Sequence, residues 1–476
     1  MDATSRADFP NHTPRATPGR WQSIVRALWH RNYRLFFAGQ IVSLCGTFLT
    51  QVAMVWLVYS ITHSGKILGI TAFAGQVPAF ALGPFAGVWV DRLNRRRLIV
   101  ITQTLAMCQS FALAGLVYFF WGHTSIVVPG LIMLAFVQGL INAFDMPARQ
   151  AFLVEMVDNR EDLANAIALN STMVHAARLI GPAMAGFLIH YVGAVLCFLL
   201  DGVSYIAVIF ALLAMNIRPK PPRTLDKGVL AELREGFNYV WGFAPIRAML
   251  LLMALLSLTG MPAFSVLMPI FANALSRHPD ARGAETLGLL MGASAAGALA
   301  GAIYLASRRS VVGLGRLIAL AAFFFGAALI AFSFSHVLWR SLLLVPIAGC
   351  AMLITFASSN TLLQTLTEDE KRGRVMSFFT MAFVGMTPWG NLLAGTSADA
   401  LVSVNPVPLW ARFDGAARTL QWAGVICVIA ALSFALKLPA IRRIIRPIYE
   451  QRGIVPPQVA AGLRDATEVV SAGEQQ

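Results

Sequence analysis

Between residues 34 and 438 the chain alternates long apolar runs with short polar connections, and that pattern confines it to a lipid bilayer. Twelve runs fall at 34–60, 67–90, 98–121, 126–147, 163–190, 194–215, 246–274, 286–307, 311–334, 337–361, 374–397 and 418–438. A helix rises about 1.5 Å per residue, so about 20 residues cross the roughly 30 Å hydrocarbon core. Inside lipid every backbone N–H and C=O needs a partner within the protein, which leaves helices or a closed barrel. Runs this long, without a two-residue alternation, specify helices. The chain is 57% hydrophobic and 13% charged, against about 25% charged in soluble proteins. The expected class is an all-α integral membrane protein with twelve transmembrane helices.

Net charge is +14, and the basic residues gather between the runs. Connections after runs 2, 4, 6, 8 and 10 hold Arg92 to Arg97, Arg149 and Arg160, Arg218 to Arg234, Arg308 with Arg309, and Lys371 with Arg372. Those after runs 1, 3 and 5 carry little beyond Lys66 and three histidines. Positive loops stay in the cytoplasm, so both termini are expected there. The same bias explains the charge without nucleic acid, and no RNA- or DNA-binding motif accompanies it. The N-terminus reads as a retained first helix rather than a cleaved leader. Residues 20–34 mix arginine with tryptophan, as a helix lying at the membrane surface does.

Other chemistries lack their residues. No phosphate-binding Gly-x-x-x-x-Gly-Lys-Ser/Thr loop is present, so ATP is not the expected energy source. His-Glu-x-x-His, Gly-x-Ser-x-Gly and paired catalytic carboxylates are absent, so no enzyme is expected. The five cysteines lie singly inside apolar runs and form neither a disulfide pattern nor a metal site. No cofactor and no metal are expected.

The halves repeat weakly. Gly87 and Gly301 each head a segment ending in arginines, Gln150 and Gln364 each follow the fourth run of a half, and Pro182 matches Pro388. The domains expected are a cytoplasmic N-terminal segment with the interfacial helix (1–33), a six-helix bundle (34–215), a cytoplasmic linker (216–245), a second six-helix bundle (246–438) and a cytoplasmic tail (439–476). Prolines 78, 182, 262, 269 and 388 mark expected kinks.

The turn between runs 2 and 3 reads Gly87-Val-Trp-Val-Asp91-Arg92-Leu-Asn94-Arg95-Arg96-Arg97. Gly87 permits close helix approach. Asp91 suits a neighbouring helix N-terminus or an arginine, a contact that can form in one state and break in another. Here the chain resembles the major facilitator superfamily, whose motif is Gly-x-x-x-Asp-Arg-x-Gly-Arg-Arg. Gly87, Asp91, Arg92, Arg95 and Arg96 match, and Asn94 replaces glycine, with left-handed backbone angles expected. The resemblance covers all twelve helices. It implies two pseudo-symmetric six-helix bundles rocking around a central cavity, with the Gly87–Arg96 turn as a gate. In the second half Leu305 stands where Asp91 would be.

Run 5 contains Ala177-Arg178-Leu-Ile-Gly181-Pro182-Ala-Met-Ala185-Gly186. In the family a Gly-x-x-x-Gly-Pro-x-x-Gly-Gly motif here marks proton-coupled exporters; Ala177 and Ala185 are small-for-small departures. Generic small-residue packing also fits these positions. The stretches Pro147–Leu153, Asp162–Asn170 and Phe198–Tyr205 resemble the branch of enterobactin-type siderophore exporters and macrolide efflux proteins. The arginine that the family places in helix 4 is Ala135 here, before Gln138-Gly139.

Few ionisable groups lie at membrane depth. Asp145, Arg178 and Asp201 are the coupling candidates, with Arg178 expected to pair with Asp145 or Asp201; His175 reads as a core group. Gln51, Trp56, Gln76, Gln138, Asn142, Asn360, Gln364, Trp389 and Asn391 are cavity candidates, although single amides also join helices. The resemblance implies a monomeric secondary exporter of an amphipathic small molecule in a bacterial inner membrane, with protons as coupling ion. A lipid or lysolipid transporter of the same fold is the alternative, and a transport-inactive receptor or scaffold a more distant one.

Overall fold

The computed structural model describes residues 26–157, 160–216, 229–276, 282–308, 310–402 and 409–451. The outer parts of the expected N-terminal segment, linker and tail lie outside the described residues. Six helices form the first half: α1 Arg31–Thr62, α2 Gly65–Arg92, α3 Arg95–Phe119, α4 Thr124–Leu153, α5 Arg160–Val192 and α6 Ala194–Ala214. The second half has α7 from Ala244 to Leu275, α8 Gly283–Ser307, α9 Leu314–Ser333, α10 Leu338–Leu366, α11 from Asp369 to Ala400 and α12 Leu409–Gln451.

Eleven of these are long and apolar enough to cross a membrane as they stand. The remaining crossing, α11, comes in pieces: Asp369–Thr380, a π turn Met381–Gly385, and Thr387–Ala400. Pro388 opens the last piece, where its missing N–H costs no helical hydrogen bond. A π turn at Ala263–Leu267 and Pro269 interrupt α7 in the same way. Pro182 lies inside α5, which runs without interruption from Arg160 to Val192.

Local chemistry sets the turns. Ser64 Oγ accepts from Ile67 N at 3.3 Å to cap α2. Asn94 Oδ1 accepts from Arg97 N at 3.1 Å to cap α3. Its φ is −69° and its ψ 106°. The left-handed angles expected for Asn94 are therefore corrected: a short amide preceding a helix is more useful extended, where it satisfies a free N–H. Gly193, at φ 90°, makes the tight α5–α6 turn.

The packing has a pseudo-twofold pattern. In the first bundle α1 packs on α5 and α6, α2 on α4, and α3 on α4 and α6. In the second, α7 packs on α11 and α12, α8 on α10, and α9 on α10 and α12. Two seams join the bundles, α2 with α11 and α5 with α8. They exchange under the same symmetry.

The expected surface helix over residues 20–34 takes another form where it is described. Arg26–Trp29 is a 3-10 turn, and α1 has begun by Arg31. The turn is pinned to α5: Arg26 Nε lies 2.9 Å and His30 Nε2 3.0 Å from Asp162, and Asn165 Oδ1 accepts from Ala27 N at 2.9 Å. The linker helix Val229–Gly242 docks on α11 through a Glu235–Arg374 ion pair and Phe237 against Phe378, 6.2 Å between ring centres.

Candidate functional site

One end of the seams is sealed by small residues. In α2, Gly65 and Gly69 are spaced four apart, as are Asn391, Gly395 and Asp399 in α11. A Cβ on Gly69 would sit 2.6 Å from the Asn391 carbonyl, and one on Gly395 would overlap the Gly65 carbonyl. The other seam is as tight: a Cβ on Gly288 of α8 would lie 2.6 Å from the Pro182 carbonyl, and one on Gly186 would lie 2.7 Å from that of Ala284. Backbones this close exclude side chains and water alike.

Asp399 completes the seal. Ser64 Oγ donates to its Oδ2 at 2.5 Å, Gly65 N to Oδ1 at 2.8 Å and Lys66 N to Oδ2 at 3.0 Å. The carboxylate of one bundle thus caps the first turn of a helix in the other, where N–H groups are unpaired and the dipole favours an anion. Sequence reading missed this residue. A lone acid ending the α11 run, opposite a serine that starts the α2 run, was the available signal.

The opposite side of the seams is open among the described residues. Asn142 and Gln150 of α4, Ser171 of α5, and Thr361 and Gln364 of α10 are exposed. Two amide pairs face this space, Gln138 Nε2 to Asn142 Oδ1 at 3.1 Å and Gln364 Nε2 to Asn360 Oδ1 at 2.9 Å. Each is an i,i+4 pair with donors to spare. Gln51 is exposed. Trp389 is partly exposed and meets Phe73 edge-on at 5.1 Å across the α2–α11 seam.

Two of the expected cavity residues belong to the seal instead. Trp56 is buried, and the start of α8 at Gly283 presses on its indole. Asn391 is fully buried and accepts from Ser265 Oγ at 2.5 Å, while its Nδ2 has no partner. The other bundle covers Trp56 through Gly283, whereas the Asn391 side chain is held by α7 of its own bundle and its backbone carbonyl meets Gly69 of α2.

The carboxylates lie inside the first bundle. Asp145 is buried, 2.5 Å from Arg149 Nη2, and accepts from Thr102 Oγ1 at 2.7 Å and Gln103 Nε2 at 2.9 Å. Asp201 is buried, accepts from Ser110 Oγ at 2.9 Å and has the Thr50 hydroxyl of α1 beside its carboxylate. The expected pairing of Arg178 with either acid is corrected. Arg149, one turn along the same helix, already holds Asp145, and Asp201 faces α3. Arg178 lies over the Phe48 ring, 5.9 Å from its centre. Gly181 makes this approach of α5 to α1 possible, since a Cβ there would be 2.5 Å from Phe48. Ala177 and Ala185 are buried in the same contact face.

At the Gly87 turn, the side-chain surroundings of Gly87 and Asp91 lie outside the described residues. Arg92 is exposed. Arg95 Nη1 pairs with Glu155 at 2.5 Å, and Arg96 donates to the Leu212 and Leu213 carbonyls, both at 2.8 Å. These two arginines tie α3 to the ends of α4 and α6 within their own bundle. No group of three or more His, Cys, Asp or Glu side chains is gathered among the described residues.

A family model described as transmembrane secretion effector matches residues 23–441. The chain belongs to that family. It is accordingly a multi-pass membrane protein of the major facilitator superfamily, whose family and fold are those of transporters. It is similar to the Staphyloferrin A transporter of Staphylococcus aureus, 25% identical over 84% of this chain and 95% of the relative. It is also similar to the multidrug efflux pump Tap of Mycolicibacterium fortuitum, 28% identical over 75% of this chain and 86% of the relative. Among solved structures, an inward-facing, unoccupied bacterial homologue of the human lysosomal transporter Spinster shares the fold. Its TM-score is 0.67 at 16% identity, covering 86% of this chain and 96% of that one.

Proposed function

We propose that this protein is a secondary active exporter of an amphipathic small molecule of the siderophore or drug class, working by alternating access in a bacterial inner membrane. The observation that carries the reading is the one-sided seal. The bundles meet backbone to backbone at Gly65–Gly395 and Gly186–Gly288, while the amides of α4 and α10 stay accessible from the other side. A cavity open to one side only is what alternating access requires of each state. The relatives named for a siderophore and for multidrug efflux support the substrate class.

With both termini cytoplasmic, the Asp399 end faces outward and the structure is inward-facing. The proton gradient drives the cycle. Asp201 is the proton carrier in this reading, since Asp145 already has Arg149 as its counter-charge and a buried carboxylate without a cation must bind a proton or stay unpaired at a cost. The Gly87–Arg96 turn is the inner gate: Asp91 latches it in the outward-facing state. The protein works as a monomer.

Inverted membrane vesicles test this directly. Siderophores, macrolides and dyes are offered with and without a protonophore. Accumulation of at least one compound that collapses with the protonophore is expected; accumulation indifferent to it contradicts proton coupling.

A further inference from the structure

Arg178 stands out because no acid pairs with it among the described residues. A guanidinium at membrane depth is expensive and is ordinarily paired with an acid. Helix geometry, at about 100° per residue, places it on the inner side of α5. Ile180, Met184 and Phe187, exposed by 49, 51 and 44%, mark the lipid-facing side of that helix. Arg178 points about a third to half a turn away from them. It is exposed, with the Phe48 ring beneath it. An aromatic face orients the guanidinium without neutralising it.

Among the described residues the surrounding elements offer no anion at the depth of Arg178; Glu285, in the first turn of α8, lies beside Gly186, two turns further along α5. Between 250 and 272, 287 and 306, 343 and 366, and 381 and 398 the second bundle contains no Asp or Glu. In the first bundle, α1, α3 and the part of α5 beyond Asp162 have none, and Asp91 ends α2. Asp145 is held by Arg149, and Asp201 is buried against Ser110 of α3. Asp399 is engaged with α2 at the sealed end. His175, one turn before Arg178, adds no negative charge in either protonation state.

We propose that the transported molecule brings the missing anion. The substrate is an organic acid, with a carboxylate or comparable anionic group seated on Arg178 and polar atoms within reach of the amide donors of Gln138 and Asn142. A planar guanidinium binds a carboxylate through two parallel N–H···O bonds, which a lysine ammonium cannot reproduce. The apolar remainder lies against the aromatic and aliphatic walls. This rests on the exporter reading and narrows its substrate class.

The test uses inverted vesicles carrying the full chain, with carboxyfluorescein and a panel of acids matched with their methyl esters, and with ethidium as a cationic comparison. In the wild type the acids are expected to accumulate, with each ester about tenfold weaker in its apparent affinity. Arg178→Gln is expected to lose acid transport and Arg178→Lys to retain part of it, both at wild-type abundance in the membrane. Equal transport of acid and ester by the wild type overturns the proposal, and needs no variant. Transport of ethidium or of the esters with every acid refused also overturns it while leaving the exporter reading intact. Transport of nothing in the panel counts against both.

Discussion

Asp399 accepts a 2.5 Å hydrogen bond from Ser64 across the two bundles, and the same carboxylate takes the first backbone N–H groups of α2. One acid thereby fastens the sealed end of the molecule. Hydrogen bonds to a charged group contribute about 1.5–3 kcal/mol each at most. Asp399→Ala is expected to shift the balance between states by about 10-fold or more. The measurement is the rate at which a cysteine placed at Ala398, buried in the seal, reacts with a membrane-impermeant maleimide, in a background lacking the native cysteines. An unchanged rate would show that the carboxylate does not hold the seal.

The glycine seams make a steric prediction with an internal control. Gly69→Val drives a side chain into the Asn391 carbonyl, so the seal cannot form and transport falls by about an order of magnitude or more. A Cβ at Gly83, on the same helix, meets nothing within 4 Å. Gly83→Ala is expected to transport as the wild type does. Vesicle transport by the two variants, normalised to abundance, checks the contrast.

Asp145 and Arg149 predict a non-additive pair. Removing either leaves a charge stranded in a buried network, at a cost of about 3–5 kcal/mol. Asp145→Ala and Arg149→Ala are each expected to lower the melting temperature of the purified protein, and the double variant to lower it by less than the sum. Additive losses would mean that the two side chains do not act as a pair.

The Gly87 turn predicts an asymmetry. Leu305 occupies the position in the second half that corresponds to Asp91. Asp91→Asn is therefore expected to cripple transport, whereas substitutions at Ser307 change it little. Equal sensitivity at the two sites would argue for simple loop charge. The measurement is initial transport rate at matched expression.

The helical class and the pairing of the halves were legible because lipid leaves a chain so few choices. Apolar length gives the crossings, and the repeats of Gly87 with Gly301 and Pro182 with Pro388 give the symmetry. The prolines mark expected kinks, and they take different forms: Pro388 begins a new piece of α11, and Pro182 lies within an uninterrupted α5. Proline's effect depends on what neighbours offer its freed carbonyl. The site was legible only in part. Asn391 and Asn142 are the same residue type in apolar runs, yet one is locked in the seal and the other is exposed. The difference is what packs on each face, α7 and α2 on Asn391 and nothing among the described residues on Asn142, and one helix does not record that. The sequence reading places Arg149 in the connection after run 4 and so misses the Asp145–Arg149 pair, although the two are four apart and α4 carries both. Asp399 was harder, since its partner lies 335 residues earlier.

The central claim, that the bundles open and close around one cavity, has a direct test at the seal. A Cβ on Gly65 would lie 3.2 Å from that of Ala398, close to the 3.5–4.5 Å spacing of a disulfide. Gly65→Cys with Ala398→Cys, without the native cysteines, leaves Asp399 in place and can be locked by oxidation. Vesicle transport is expected to stop when the disulfide forms and to return on reduction. Full transport with the disulfide demonstrably closed would contradict alternating access through this seam.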